Sequence, residues 1–259
     1  MKNVSAKQRF ENALQQLARS SSLWTVFTDF LDFSLHMMRW LDLKNENFSV
    51  LEKKYPQPEQ AHLFAEAYMA IGDIADNEGT GFKDPFGDFY MEHLSNGNNG
   101  QFFTPEHICD MIALMQMGTS VKNDATVADP CCGSGRMLLA AAKINRNCLF
   151  YGADIDLVCC KMTVLNFLLN TLCGEVTWMN TLTMDRWKTW RINKVMDSNG
   201  FYRPYYLETI HNPEEELQMK EHVMKGSAPM PTIKQIIKEK ILDKAKTNSS
   251  QLFLFGDVE

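Results

Sequence analysis

The stretch Asp129-Pro130-Cys131-Cys132-Gly133-Ser134-Gly135 opens with an acidic residue and closes with two glycines around a serine. Glycines let a ligand approach the main chain, and a helix starting behind them exposes N–H groups that have no partner within the helix. The pattern reads as a nucleotide-type cradle. Neither G-x-G-x-x-G nor a Walker A sequence is present, since no Lys-Ser or Lys-Thr follows the glycines. An acidic side chain at the head of the loop repels a diphosphate but attracts an ammonium group and accepts hydrogen bonds from it. This favours a cationic, amino-acid-like ligand. Asp154 lies about twenty residues beyond the loop, where an acidic side chain typically takes a pair of ribose hydroxyls. Adenosine joined to an amino acid is S-adenosylmethionine, the cofactor expected here. A tight strand-to-helix turn would explain the glycines alone, but not the two carboxylates in register.

The elements needed to position these residues can be read from hydrophobic period. Thr126-Val127-Ala128-Asp129 predicts a short strand, residues 135–145 a helix, 148–153 a strand, 157–172 a helix and 176–179 a third strand. Such alternation implies a parallel sheet. Upstream, Phe10, Leu14, Leu17, Trp24, Phe27, Phe30, Leu31, Leu35, Met38 and Leu41 recur at helical spacing over residues 7–43 and are expected in the core. A further helix should follow Pro58, with Ala61, Phe64, Ala65, Tyr68 and Ile71 on one face, and end near residues 76–79. The polar tract at 95–100 predicts a loop. Beyond residue 183, Trp187, Trp190, Phe201, Tyr202, Tyr205 and Tyr206 sit among charges and Pro204 with no clean period. Residues 226–231 read as a linker, and Ile233, Ile236, Ile237, Ile241 and Leu242 then mark a basic amphipathic helix. The expected organisation is a helical region at 1–99, a cofactor-binding core at 100–182, a segment at 183–225 that completes or caps the sheet, and a tail at 226–259.

A chain of 259 residues with 45% hydrophobic content can build an α/β domain plus an appendage, which excludes a disordered or disulfide-stapled protein. Its net charge of −6 provides no global positive field, so a nucleic acid would need a local basic patch. Seven cysteines, none spaced C-x-x-C, suggest a reduced cytoplasmic chain, and the histidines show no ligand spacing, so no metal is expected. No apolar run approaches the ~18 residues needed to span a bilayer, and no membrane partner is expected.

With these motifs in hand, the sequence resembles the adenine-N6 DNA methyltransferases related to the modification subunits of bacterial type I restriction-modification systems. Gly100-Gln101-Phe102-Phe103-Thr104-Pro105 is similar to that family's G-Q-F-[FY]-T-P segment, and Asp129 to Gly135 to its D-P-x-C-G-[ST]-G loop. Gly152-Ala153-Asp154-Ile155-Asp156 resembles its ribose-binding turn, Asn180-Thr181-Leu182 the segment after its third strand, and residues 84–90 a family helix start. The resemblance implies an α/β, Rossmann-like S-adenosylmethionine-dependent methyltransferase fold, here with a short sheet and a helical N-terminal region. It implies that Phe103, Thr104 and Pro105 close over the methionine, and that Asp129, Pro130, Gly133, Ser134 and Gly135 hold the amino-acid part. Asp154 and Ile155 would take the ribose side and Asn180 the adenine edge. DNA is the implied partner, with a specificity or catalytic subunit beside it.

The family's catalytic Asn-Pro-Pro-aromatic segment is not found in the chain. Its nearest counterpart is His211-Asn212-Pro213-Glu214, which lacks the second proline and has glutamate where the stacking ring belongs, and the plainer account is a turn before an acidic helix start. Asn212 and Pro213 are therefore carried only as candidates. Gln251-Leu252-Phe253-Leu254-Phe255 resembles the pentapeptide that binds the bacterial replication sliding clamp, with Gln251, Leu252, Leu254 and Phe255 as anchors; a hydrophobic plug on the chain's own core explains it equally. The leading expectation is thus an adenine-N6 DNA methyltransferase. The alternatives are an inactive S-adenosylmethionine-binding accessory protein brought to DNA by the clamp, and a methyltransferase of protein or RNA.

Overall fold

A computed structural model describes residues 4–39, 46–95 and 102–211. Helix α1 (Ala6–Leu17) starts where the Ser5 side chain accepts the Gln8 N–H, and it buries Phe10, Ala13, Leu14 and Leu17 along one stripe. The helical run expected over 7–43 is broken. A single tight turn at Ala18–Ser20 follows α1, and Ser22 then caps α2 (Leu23–Met37) by accepting the Thr25 N–H. Serines at 20–22 compete for main-chain hydrogen bonds, which stops one helix and starts the next. Phe27, Phe30, Leu31 and Leu35 of α2 are buried as expected and Val26 joins them, whereas Trp24 is 41% exposed and stands outside the core; Leu41 lies outside the described residues.

Helix α3 (Glu46–Lys54) was not anticipated by the pattern. Helix α4 (Pro58–Asp76) has the predicted start and end: the Gln60 side-chain oxygen accepts the Gln57 N–H, Pro58 occupies the first turn, and Asn77 closes it in the left-handed region. Asp84 caps the short α5 (Pro85–Phe89), which continues into a π-helical turn at Tyr90–Leu94. Phe89 knits these helices together, its ring centroid 5.1 Å from Phe10 and 5.3 Å from Phe27.

After α6 (Glu106–Met117), the chain alternates β1 (Thr126–Asp129), α7 (Arg136–Ile144), β2 (Leu149–Asp154), α8 (Leu157–Leu169) and β3 (Cys173–Asn180). Both helical crossovers advance in the same direction, so β1, β2 and β3 are parallel neighbours, and right-handed connections place α7 and α8 on one face. The expected parallel sheet is extended differently from a purely parallel one. A four-residue link at 181–184 is too short for a crossover, so β4 (Asp185–Met196) returns antiparallel to β3, and β5 (Tyr202–Ile210) pairs antiparallel with β4. The turn between them is stabilised by Asp197, which accepts N–H groups from Asn199 and Phe201.

Register separates the two faces. Val127, Phe150, Gly174, Ile192 and Tyr206 form one row toward the helices, with Phe150, Ile192 and Tyr206 buried. The adjacent row, from Ala128 through Tyr151, Glu175 and Arg191 to Leu207, faces the other way and is partly or fully exposed. Position 174 tolerates only glycine, because a Cβ there would stand 1.7 Å from the Phe150 carbonyl oxygen. Helix α8 is apolar nearly all round because it lies between the sheet and α2.

The hairpin is fastened to the helices by polar contacts. The Tyr206 hydroxyl donates to the Leu35 carbonyl at 2.9 Å, and Glu208 pairs with Arg39 and Lys188 while accepting the Trp190 indole N–H at 3.0 Å. Burial pushes the Glu208 carboxyl up, but Lys188, Arg39 and the indole outweigh it and hold it below its ordinary value. Its contribution to stability is therefore fully present above the unfolded-state value and is lost as pH falls through the lowered folded-state value. Glu208→Gln should cost about 1–3 kcal/mol at pH 7. In urea denaturation the gap from wild type should narrow in acid, and a pH-independent gap would contradict this pairing.

Candidate functional site

Because β1, β2 and β3 are parallel, their carboxyl ends meet at one edge of the sheet, and with them Asp129, Asp154 and Asn180. Ligands in open α/β sheets bind at such an edge. A cleft of about 440 Å³ lies there, lined by Phe103, Pro130, Gly133, Asp154, Ile155 and Asn180. Its size is within the usual range for a small-molecule site. Cys131, exposed, and Cys159, buried, complete the wall beside the loop, while Phe102 and Leu182 form a rim that is 72% and 94% exposed.

The loop between β1 and α7 carries the main-chain conformation that its glycines predict. Gly133 has φ 54° and Gly135 has φ 88°, both left-handed. A Cβ at Gly133 would come within 2.9 Å of the Phe103 ring, and one at Gly135 within 3.0 Å of Thr163 on α8. Phe103 thus lies directly on the loop, held from behind by Tyr90 with ring centroids 5.2 Å apart.

The two carboxylates are engaged by main-chain donors. Asp129 accepts the Cys131 N–H at 3.0 Å. Burial raises the Asp129 carboxyl above its ordinary value, the Cys131 N–H opposes this, and the negative charge of Asp154 adds to it. Asp154 accepts the Gly133 N–H at 2.9 Å through one oxygen and the Asp156 N–H at 2.9 Å through the other. Asp156 in turn caps α8 at the Val158 N–H, and the Trp178 indole donates to the Ile155 carbonyl. Ile155 is left 61% exposed beside the cleft. The Asn180 side-chain oxygen accepts N–H groups from Leu182 and Thr183, which turns the chain toward the hairpin.

The structure therefore gathers Phe103, Pro130, Gly133, Asp154, Ile155 and Asn180 around one space, with Asp129 at its edge. Thr104 and Pro105 are exposed and do not line it; Pro105 instead precedes the first turn of α6. The Ser134 hydroxyl turns away from the cleft, to the buried Asp84 at 2.6 Å, and Gly135 packs against α8. Asn212, Pro213, Gln251, Leu252, Leu254 and Phe255 lie outside the described residues, as do Gly100, Gln101, the linker at 226–231 and the basic helix expected after it. Two roles were not read from the sequence. Cys159 in the wall gave no signal beyond an apolar helical pattern, whereas Asp84 directly before Pro85 carried the signature of a helix cap but not of a link to the loop.

Two carboxylates, two left-handed glycines and a rim of Phe102, Phe103, Ile155 and Leu182 suit a ligand that is cationic at one end and flat and apolar at the other. All seven cysteines are free thiols, and burial raises those of Cys132, Cys159 and Cys160, so the cleft is not lined by an activated thiolate from any of these three. No helix among the described residues is long and apolar enough to cross a membrane.

The sequence is similar to those of known methyltransferases. The Type II methyltransferase M.VspI of Vibrio sp. (strain 343) is 36% identical over 92 residues, which is 34% of this chain and 21% of that protein. The Type I restriction enzyme MpnII methylase subunit of Mycoplasma pneumoniae is 29% identical over 132 residues, 46% of this chain and 24% of that subunit. The chain thus matches under a quarter of the length of either relative. A solved type I restriction-modification system methyltransferase subunit from Streptococcus thermophilus aligns over 66% of this chain and 39% of its own, with 17% identity and a TM-score of 0.32, too slight a likeness to bear on function. The profile of the N-6 DNA methylase family matches residues 82–244, which is more than half of the chain and contains every strand described above. This chain belongs to the N-6 DNA methylase family.

Proposed function

We propose that the cleft binds S-adenosylmethionine and that the chain is the cofactor-binding part of a DNA methyltransferase acting on the N6 amino group of adenine, as in type I modification subunits. The observation that carries this reading is that Asp154 and the left-handed Gly133 line one cleft, with Asp129 next to its wall residue Pro130. The residues fit the cofactor, since Asp154 supplies an acceptor in the cleft wall with Asp129 beside it, and Phe103, Ile155 and Leu182 supply apolar surface. When bound, the cofactor supplies an electrophilic methyl group on a sulfonium.

In this reading Asp129 attracts the ammonium of the amino-acid part, and main-chain groups at 133–135 approach its carboxylate. Asp154, which accepts the Gly133 N–H here, would hold the ribose hydroxyls. Ile155 and Leu182 flank the adenine, and Phe103 shields the methionine end from water. The acceptor base must leave the duplex to reach the methyl group. No Asn-Pro-Pro sequence occurs in the 259 residues; Asn212 is the first residue to test for a role in holding the base, and a partner subunit is the second source to test.

Asp129→Asn should weaken S-adenosylmethionine binding about ten- to a hundredfold, equivalent to about 1.4–2.8 kcal/mol, measured by calorimetry at neutral pH. Wild-type affinity should fall as pH drops through the raised Asp129 value, because protonation removes the charge that attracts the ammonium, and the variant should lack this component. Equal affinity and an identical pH profile in the two proteins would remove Asp129 from the site.

Function itself is tested by transfer of a labelled methyl group from S-adenosylmethionine to unmethylated DNA, followed by digestion to nucleosides. Label in N6-methyladenine supports the reading. Label in another base would overturn the adenine assignment, and cofactor binding without label in any DNA, with candidate partner subunits added, would favour the inactive accessory protein.

A further inference from the structure

Asp84 lies outside the cleft, at the start of α5, and has no exposed surface. Capping explains part of its bonding: one carboxylate oxygen, Oδ1, accepts the N–H groups of Phe86 at 3.2 Å and Gly87 at 2.9 Å. Its other partners are remote in sequence. Oδ1 also accepts from Asn166 Nδ2 on α8 at 2.8 Å, and Oδ2 accepts from Ser134 Oγ at 2.6 Å and Arg136 Nε at 2.8 Å. Every partner is a donor, which suits an ionised, acceptor-only carboxylate. Burial acts to lower the Arg136 guanidinium, but Asp84 and Asp88 outweigh it and hold it above its ordinary value.

The cluster is packed with no spare room. A Cβ at Gly87 would stand 2.1 Å from Asp84 Oδ2, 2.6 Å from Ser134 Oγ and 2.9 Å from Arg136 Nη2. The loop's carbonyls are fixed from the same side: Asn166 Nδ2 donates to the Ser134 carbonyl at 2.8 Å and Thr163 Oγ1 to the Gly133 carbonyl at 2.9 Å. On the cleft side, the Gly133 N–H donates to Asp154, and the carbonyl of the same peptide unit, that of Cys132, accepts the Gly135 N–H at 2.7 Å.

We propose that Asp84 is the positioning residue of the cofactor loop: through Ser134, Arg136 and Asn166 its buried carboxylate sets the orientation of residues 133–136, and so the part of the cleft that receives the amino-acid end of the ligand. It touches no ligand itself. The inference rests on the cofactor reading above for its consequence, but not for its geometry, and the two are separable by experiment.

Asp84→Asn preserves shape while placing an NH₂ among donors. Hydrogen–deuterium exchange should then become about tenfold faster or more in a peptide spanning 131–137, with α4 unchanged. S-adenosylhomocysteine, which has the amino-acid part, should bind about tenfold more weakly or worse, whereas adenosine, which lacks it, should lose less than about twofold. A merely structural role would weaken both ligands alike, so equal losses, or unchanged exchange in the loop, would overturn the proposal. If Asp84→Asn does not fold, Ser134→Ala removes a single bond of the cluster and should give the same pattern at smaller size, with the same outcomes decisive. A wild-type protein that binds neither ligand would contradict the cofactor reading instead, and loop exchange alone would then decide the role of Asp84.

Discussion

A carboxylate with no exposed surface receives five hydrogen bonds from three parts of the chain, and the rest of the site depends on it. An ionised group in a protein interior is tolerated only when its lone pairs are filled by well-placed donors. Asp84 meets that demand with a helix N-terminus, a loop hydroxyl, a guanidinium and an amide from α8. The requirement works in both directions: the donors stabilise the charge, and the charge determines where the donors stand. Because two of those donors are the side chains of Ser134 and Arg136, the β1–α7 loop takes one shape before any ligand arrives, which reduces the ordering that binding would otherwise require.

The sheet supplies the other half of the arrangement. Parallel strands joined by helices bring three carboxyl ends to one edge, where Asp129, Asp154 and Asn180 converge although they are far apart in sequence. The antiparallel hairpin that follows contributes differently. Its Trp190 and Ile192 add to the face that the helices cover, and its Glu208 and Tyr206 bind it to α2 and the residues just after it, so the helical N-terminal region and the sheet share one core. The opposite face, with Tyr151, Glu175 and Arg191, remains partly exposed among the described residues.

The parts that were legible in the sequence obey local rules. The β1–α7–β2–α8–β3 unit follows from period, and the glycine loop with its two carboxylates follows from residue types at fixed spacing. The hairpin was not legible because Thr189, Trp190 and Ile192 are all buried along β4, so no strict alternation marks it, although Asn199-Gly200 in its turn was a usable signal. The interruption at residues 18–22 was obscured by apolar residues that keep helical spacing on either side of the serines. Long-range polar contacts were the least legible: Asp84 declares itself as a helix cap, but nothing in a linear reading connects it to Ser134, Arg136 or Asn166, which lie 50, 52 and 82 residues away.

The most direct test of the account is a crystal structure of the chain grown with S-adenosylhomocysteine. The account predicts the ligand in the cleft at the carboxyl edge of β1 to β3, its ammonium near Asp129, its ribose hydroxyls on Asp154 and its adenine between Ile155 and Leu182. An empty cleft at saturating ligand, or a ligand bound elsewhere with Asp154 still bonded to the Gly133 N–H, would contradict it.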